Sequence, residues 1–172
     1  MSTSGVAIAI PEPWATDLQA QRASFGDPQA SAIPTHITLV PPTDVGDELD
    51  AVEKHLTEVA TQQSSFRLRL RGTATFRPVS PVVFIAVSEG ISACELLAQA
   101  ARSGPLEQEL TFPYHPHVTV AHLPDDVLLD RAFEGLAAFD CAFTVDAFHL
   151  YVHDPDLGWK ATRDYPLTGD IG

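Results

Sequence analysis

Two stretches of this chain repeat one pattern, His36-Ile37-Thr38-Leu39 and His117-Val118-Thr119-Val120. Each sets a histidine and a threonine two residues apart and fills the other two places with apolar residues. Successive side chains of a β-strand point to opposite faces, so His117 and Thr119 share one face and Val118 and Val120 the other. The same alternation sets His36 and Thr38 against Ile37 and Leu39. Both stretches therefore read as strands with one face in a core and one face presenting an imidazole beside a hydroxyl. Side by side, they would bring two imidazoles and two hydroxyls to one spot, a constellation suited to acid–base chemistry on a phosphate.

The surrounding pattern places the two stretches at equivalent points of a repeat. Val6–Ile10 is a continuous apolar run bounded by prolines, read as a buried strand. Trp14–Phe25 carries Leu18, Arg22 and Phe25 at helical spacing and ends in Gly26-Asp27-Pro28. Pro34 introduces the first His-x-Thr strand, and Pro41-Pro42 is expected to end it, because proline cannot donate to a ladder. Val45, Leu49, Val52, Leu56 and Val59 make the clearest helical stripe, with Lys54 and His55 off it and expected in solvent. Phe66–Phe76 is a strand, alternating strictly through Arg71.

The second half follows the same order. Val82–Val87 reads as a buried strand, and Ile91–Arg102 as a helix closed by Gly104-Pro105. The second His-x-Thr strand is entered through Pro113 and Pro116. Pro124 fits a first helical position, with Asp125 and Asp126 in the first turn and an apolar stripe of Leu128, Leu129, Ala132, Phe133 and Leu136 behind it. Phe143–Val152 is a strand whose parity shifts near Asp146-Ala147, as at a bulge, and Trp159–Leu167 is an appended last strand. Strand, helix, His-x-Thr strand, helix, strand thus occurs twice, over about residues 5–77 and 81–167. The pattern predicts an α+β fold: duplicated β-α-β-α-β halves forming two antiparallel-rich sheets with pseudo-twofold symmetry, helices on the outer faces and a central cleft. A single bilobal domain spanning 1–172 is expected.

Charge narrows the partners. Ten basic against 23 acidic residues give a formal net charge of −13, which argues against bulk nucleic-acid binding, since that needs clustered Lys and Arg. A small nucleotide or an RNA end held in a local cleft fits better. Cys94 and Cys141 form no Cys-x-x-Cys pair and read as small buried hydrophobes. The first apolar run is too short for a signal or membrane helix. A soluble, cytoplasmic monomer without membrane contact is expected.

One His-x-Thr pair is weak evidence. Seven histidines and 14 threonines scattered at random supply about 0.6 such pairs, and apolar residues at both flexible places lower that to about 0.1. Two at equivalent places in a repeat are rarer still. The paired His36-Ile-Thr38-Leu39 and His117-Val-Thr119-Val120 motifs, inside duplicated α/β halves, resemble the two-histidine (2H) phosphoesterase superfamily, the group of 2′-5′ RNA ligases and 2′,3′-cyclic nucleotide phosphodiesterases. The likeness spans essentially the whole chain. Val40-Pro41-Pro42 stands where the ligases tend to carry a Phe-Leu-Gly-like turn, and His122 near where an arginine often follows the second motif.

What the resemblance implies agrees with the residues. One histidine would deprotonate the attacking water or hydroxyl and the other would protonate the departing ribose oxygen. Thr38 and Thr119 would donate to the non-bridging phosphoryl oxygens. Neither a cofactor nor a metal is called for. The expected activity is hydrolysis of a 2′,3′-cyclic phosphate or 2′-5′-linked nucleotide, the alternatives being 2′-5′ RNA ligation and a catalytically silent nucleotide-binding module. His115, His117 and His122 lie close in sequence, but no Cys or acidic residue completes a metal-ligand spacing. Tyr114 and Tyr151 are candidates to stack on a base, and Arg77 to bind phosphate. Arg67, Arg69 and Arg71 share a strand face that reads either as solvated or as a phosphate-steering wall.

Overall fold

The computed structural model describes residues 3–169. Its strands are β1 (Thr3–Ala9), β2 (His36–Asp44), β3 (Phe66–Thr75), β4 (Val82–Glu89), β5 (His117–His122), β6 (Asp140–Val145), β7 (Ala147–Asp154) and β8 (Gly158–Pro166). Its α-helices are α1 (Trp14–Ser24), α2 (Leu49–Gln62), α3 (Ile91–Ala101) and α4 (Asp126–Gly135). The strands form two four-stranded sheets in the orders β2-β1-β7-β8 and β5-β4-β3-β6, with antiparallel neighbours throughout. The α+β architecture is the expected one. Its pseudo-twofold is visible in the orders themselves: β1 is flanked by β2 and β7 as β4 is flanked by β5 and β3.

The sheets do not coincide with the halves of the repeat. The third strand of each half crosses over, β3 pairing with β4 and β7 with β1. Packing is exchanged too, for α1 lies against β5 and α3 against β2. The expected single strand Phe143–Val152 is accordingly two strands. β6 ladders with β3 in one sheet and β7 with β1 in the other, with Asp146 at the handover. The parity shift that resembles a bulge is the mark of a chain passing from one core face to another: Phe143 and Val145 are buried before it, Phe148 and Leu150 after it.

Two other boundaries differ from the sequence reading. Pro41-Pro42 does not end β2, which continues to Asp44. Because β2 is an edge strand, a missing N–H can face away from the ladder, and the ladder to β1 is irregular between Ser4 and Val6. Pro124 does not open α4. Asp125 caps it, its carboxylate accepting from the N–H groups of Val127 and Leu128 at 2.9 and 3.3 Å, as an N-cap aspartate does. Phe133, expected on the apolar stripe, is exposed.

One hydrophobic core runs through both sheets. The apolar members of the twin motifs, Ile37, Leu39, Val118 and Val120, are all sealed in it, as are Val52, Leu56 and Val59 of α2 and both cysteines. His55 is not in solvent but half-buried, its Nε2 3.1 Å from the Ala101 carbonyl. Donation there satisfies a carbonyl that the end of α3 leaves without an intrahelical partner. Among the described residues no helix is long and apolar enough to cross a membrane.

Candidate active site

The alternation read from the sequence sets the faces of both candidate strands. With Ile37 and Leu39 held in the core on one side of β2, His36 and Thr38 emerge half-buried on the other; β5 does the same with Val118 and Val120 against His117 and Thr119. β2 and β5 are edge strands of different sheets and pack against one another. Two hollows meet at Thr38. One is lined by His36, Pro34, Ala7, Tyr151 and Trp159; the other by His117, His115, Phe76, Phe112 and Tyr114.

The two imidazoles are held identically. His36 Nδ1 lies 2.6 Å from the Pro34 carbonyl and His117 Nδ1 2.6 Å from the His115 carbonyl, in each case two residues back along the chain. A carbonyl can only accept, so Nδ1 carries the proton in both rings. Each neutral ring therefore offers an Nε2 lone pair, and no protein group among the described residues engages either Nε2. The hydroxyls of Thr38 and Thr119 likewise make no hydrogen bond there. Across the ladder, Ala9 stands opposite His36 and Ala86 opposite His117, and these small side chains leave space beside each ring.

The symmetry fails at the threonines. Ala7 is opposite Thr38, but Phe84 is opposite Thr119. Phe84 and Phe76, with centroids 4.3 Å apart, meet the His117 ring at 5.2 and 5.0 Å. Thr38 lines both hollows and Thr119 neither.

Both histidines sit below their ordinary value of 6.5. For His36, burial is the main cause; the Pro34 hydrogen bond opposes it and the charge of Arg22 adds to it. For His117, burial again leads, the His115 carbonyl opposes, and the rings of His115 and His36 add to the lowering. The folded protein thus disfavours protonation relative to the unfolded chain. Below pH 6.5 the unfolded state binds more protons, so stability falls as pH drops through that window and is regained above it. Denaturant midpoints measured in steps from pH 7.5 downward are expected to decline below 6.5, and to decline less in His36→Gln. An unchanged slope would show that His36 is not the buried base.

The other sequence candidates are distributed unevenly. Tyr151 lines the first hollow, its ring 6.4 Å from His36. Tyr114 lines the second, but its hydroxyl is committed to the Thr38 carbonyl at 2.8 Å, and burial pushes its phenol up, keeping it a donor. It clamps β2 against the second half rather than offering a free polar group. Arg77 is not brought to the cleft: its guanidinium pairs with Asp130 at 3.0 Å and Asp126 at 3.6 Å on α4. In the arginine stripe, Arg69 is bound through two hydrogen bonds to Asp140, at 2.9 and 2.6 Å, and the stripe contributes nothing to either hollow.

One buried group escaped the sequence reading. Asp27 is fully buried with Arg22, Nε to Oδ2 at 2.7 Å, and also accepts from the N–H groups of Gln29 at 2.8 Å and His122 at 2.9 Å. It ties the end of α1 to the end of β5. Arginine on the apolar stripe of Leu18 and Phe25, with an aspartate five residues on, was the available signal.

The family model described as "2'-5' RNA ligase superfamily" matches residues 10–157. Several relatives bear the name "Putative phosphoesterase". That of Bacillus pumilus is 35% identical over 146 residues, covering 82% of this chain and 84% of the relative. That of Bacillus licheniformis is 31% identical over 144 residues, covering 82% and 85%. In fold, the chain matches the crystal structure of E. coli LigT complexed with 3′-AMP at a TM-score of 0.63, with 19% identity over 97% of this chain and 98% of that one. With the family model spanning most of the residues and both His-x-Thr strands inside it, the chain belongs to the 2′-5′ RNA ligase superfamily.

Proposed function

We propose that the protein is a metal-independent phosphodiesterase that opens a 2′,3′-cyclic phosphate, or cuts a 2′-5′ link, on a nucleotide-sized substrate, with His36 and His117 as the acid–base couple. The observation carrying this reading is the pair of Nδ1–carbonyl hydrogen bonds. They fix the same tautomer in both rings and leave two Nε2 atoms free on facing strands. One neutral Nε2 takes a proton from water as its oxygen bonds to phosphorus. The bond from phosphorus to the ribose oxygen breaks, and the other ring, entering the step as imidazolium, gives that oxygen its proton. Thr38, and with less access Thr119, donates to a non-bridging oxygen as charge grows there. The phosphoesterase name of the relatives and the 3′-AMP in the LigT crystal support a phosphate ester of this size.

The couple works only with one proton shared between two rings. Both rings sit below 6.5 in the free protein, so kcat/KM should be bell-shaped with its maximum below pH 6.5. The bound anionic phosphate favours the protonated form, so the kcat profile should lie at higher pH. Turnover should persist in EDTA. A flat profile, or activity lost to chelator and restored by a divalent ion, would remove the couple from the mechanism.

The family description supports a second outcome at the same residues. If an RNA 5′-hydroxyl replaces water, the same proton transfers yield a 2′-5′ link. RNA halves bearing a 2′,3′-cyclic end and a 5′-hydroxyl end separate the two by product length.

A further inference from the structure

Resting on that reading, we propose that the hollow beyond His117 takes the uncharged organic part of the substrate against Phe112 and Val79, and that this wall selects against substrates carrying a second phosphate. The wall is apolar. Phe112 and Val79 are 64% and 72% exposed, large for apolar side chains, and both line the hollow that contains His117 and Thr38. It is therefore continuous with the reacting position, and its occupant is the group esterified to the phosphate.

Four arginines of the chain are held in ion pairs. Neither hollow is lined by a lysine or an arginine. Arg22 reaches His36 electrostatically but is buried on Asp27. Arg77 is paired with Asp130 and Arg69 with Asp140. Arg163 is paired with Glu53. Arg102 lines the adjoining hollow, which shares Leu110–Tyr114 with this one, and its Nη1 is buried with no hydrogen-bond partner among the described residues. One imidazolium, one neutral imidazole and a threonine hydroxyl suffice for one phosphodiester anion. A second phosphate would meet Phe112 and Val79 with no cation, inside a protein of formal charge −13. An anion set against an apolar wall without a cationic partner is expected to lose about tenfold in affinity.

The test measures binding and turnover separately, on the full chain. Affinities of adenosine 2′-monophosphate and adenosine 2′,5′-bisphosphate are compared by calorimetry, with kcat/KM for 2′,3′-cyclic AMP and its 5′-phosphorylated form. Wild type is expected to prefer the compound without the 5′-phosphate by at least about tenfold in both. Val79→Lys should narrow that preference, and Phe112→Ala should weaken binding of the monophosphate and raise KM for the cyclic ester. Equal or tighter binding of the bisphosphate overturns the proposal; if Arg102→Ala then removes that binding, the second phosphate sits in the neighbouring hollow. Should neither cyclic compound be turned over, the phosphodiesterase reading falls, while the affinity ratio still decides the charge selection.

Discussion

Alanine at His36 or at His117 is expected to lower kcat for a 2′,3′-cyclic nucleotide by about 10²–10⁴-fold, the usual share of one positioned acid or base. KM should change far less, since in the proposed mechanism each Nε2 acts on a proton in flight and not on the resting substrate. Both side chains are half-buried on edge strands, so the variants should fold, which circular dichroism checks. Equal loss from both positions is the informative part. A chain in which only one histidine mattered would be a nucleophilic or binding site, and the symmetry of the Pro34 and His115 hydrogen bonds would be incidental. Thr38→Ala should cost more than Thr119→Ala, because Thr38 lines both hollows and Phe84 stands across from Thr119.

Asp27→Ala is expected to destabilise the fold by about 3–5 kcal/mol, the cost of stranding a buried charge. Arg22 would keep its charge with no partner, and the N–H groups of Gln29 and His122 would lose their acceptor. For a chain of this size the melting temperature should fall by on the order of 10 °C. The damage should reach the site as well. Arg22 already depresses His36; released from Asp27 it would depress it further, moving the kcat/KM maximum to lower pH. Arg22→Met with Asp27→Leu, which removes both charges, should recover much of the stability and return the profile toward that of wild type. A double variant as unstable as Asp27→Ala would mean that the backbone bonds of Asp27, not the ion pair, hold α1 to β5.

The twin motifs were legible because two-residue alternation is written directly in the sequence. Ile37, Leu39, Val118 and Val120 announced the buried faces, and the repeat announced that the opposite faces belong together. Periodicity gives a strand its faces but not its neighbours, which is why the crossing of β3 and β7 between sheets was hidden. Asp146 looked like a bulge for the same reason. Pro41-Pro42 looked like a strand end because nothing local distinguishes an edge strand from a central one. Arg77 looked available because its partners, Asp126 and Asp130, are about fifty residues away and meet it only when α4 packs beside β3 and β4. His55, off the apolar stripe, looked solvated until α3 was placed beside α2. Local chemistry was readable, and pairing over distance was not.

The central claim is that the two histidines are chemically distinct partners in one step, one removing a proton and one supplying it. The direct test is a phosphodiester with a p-nitrophenolate leaving group, which departs without a proton. Wild type, His36→Ala and His117→Ala are assayed on it beside the ribose ester. One variant, the one lacking the acid, should recover most of its lost rate on the nitrophenyl ester, while the other stays impaired. If both recover, or neither does, the division of labour between His36 and His117 is contradicted.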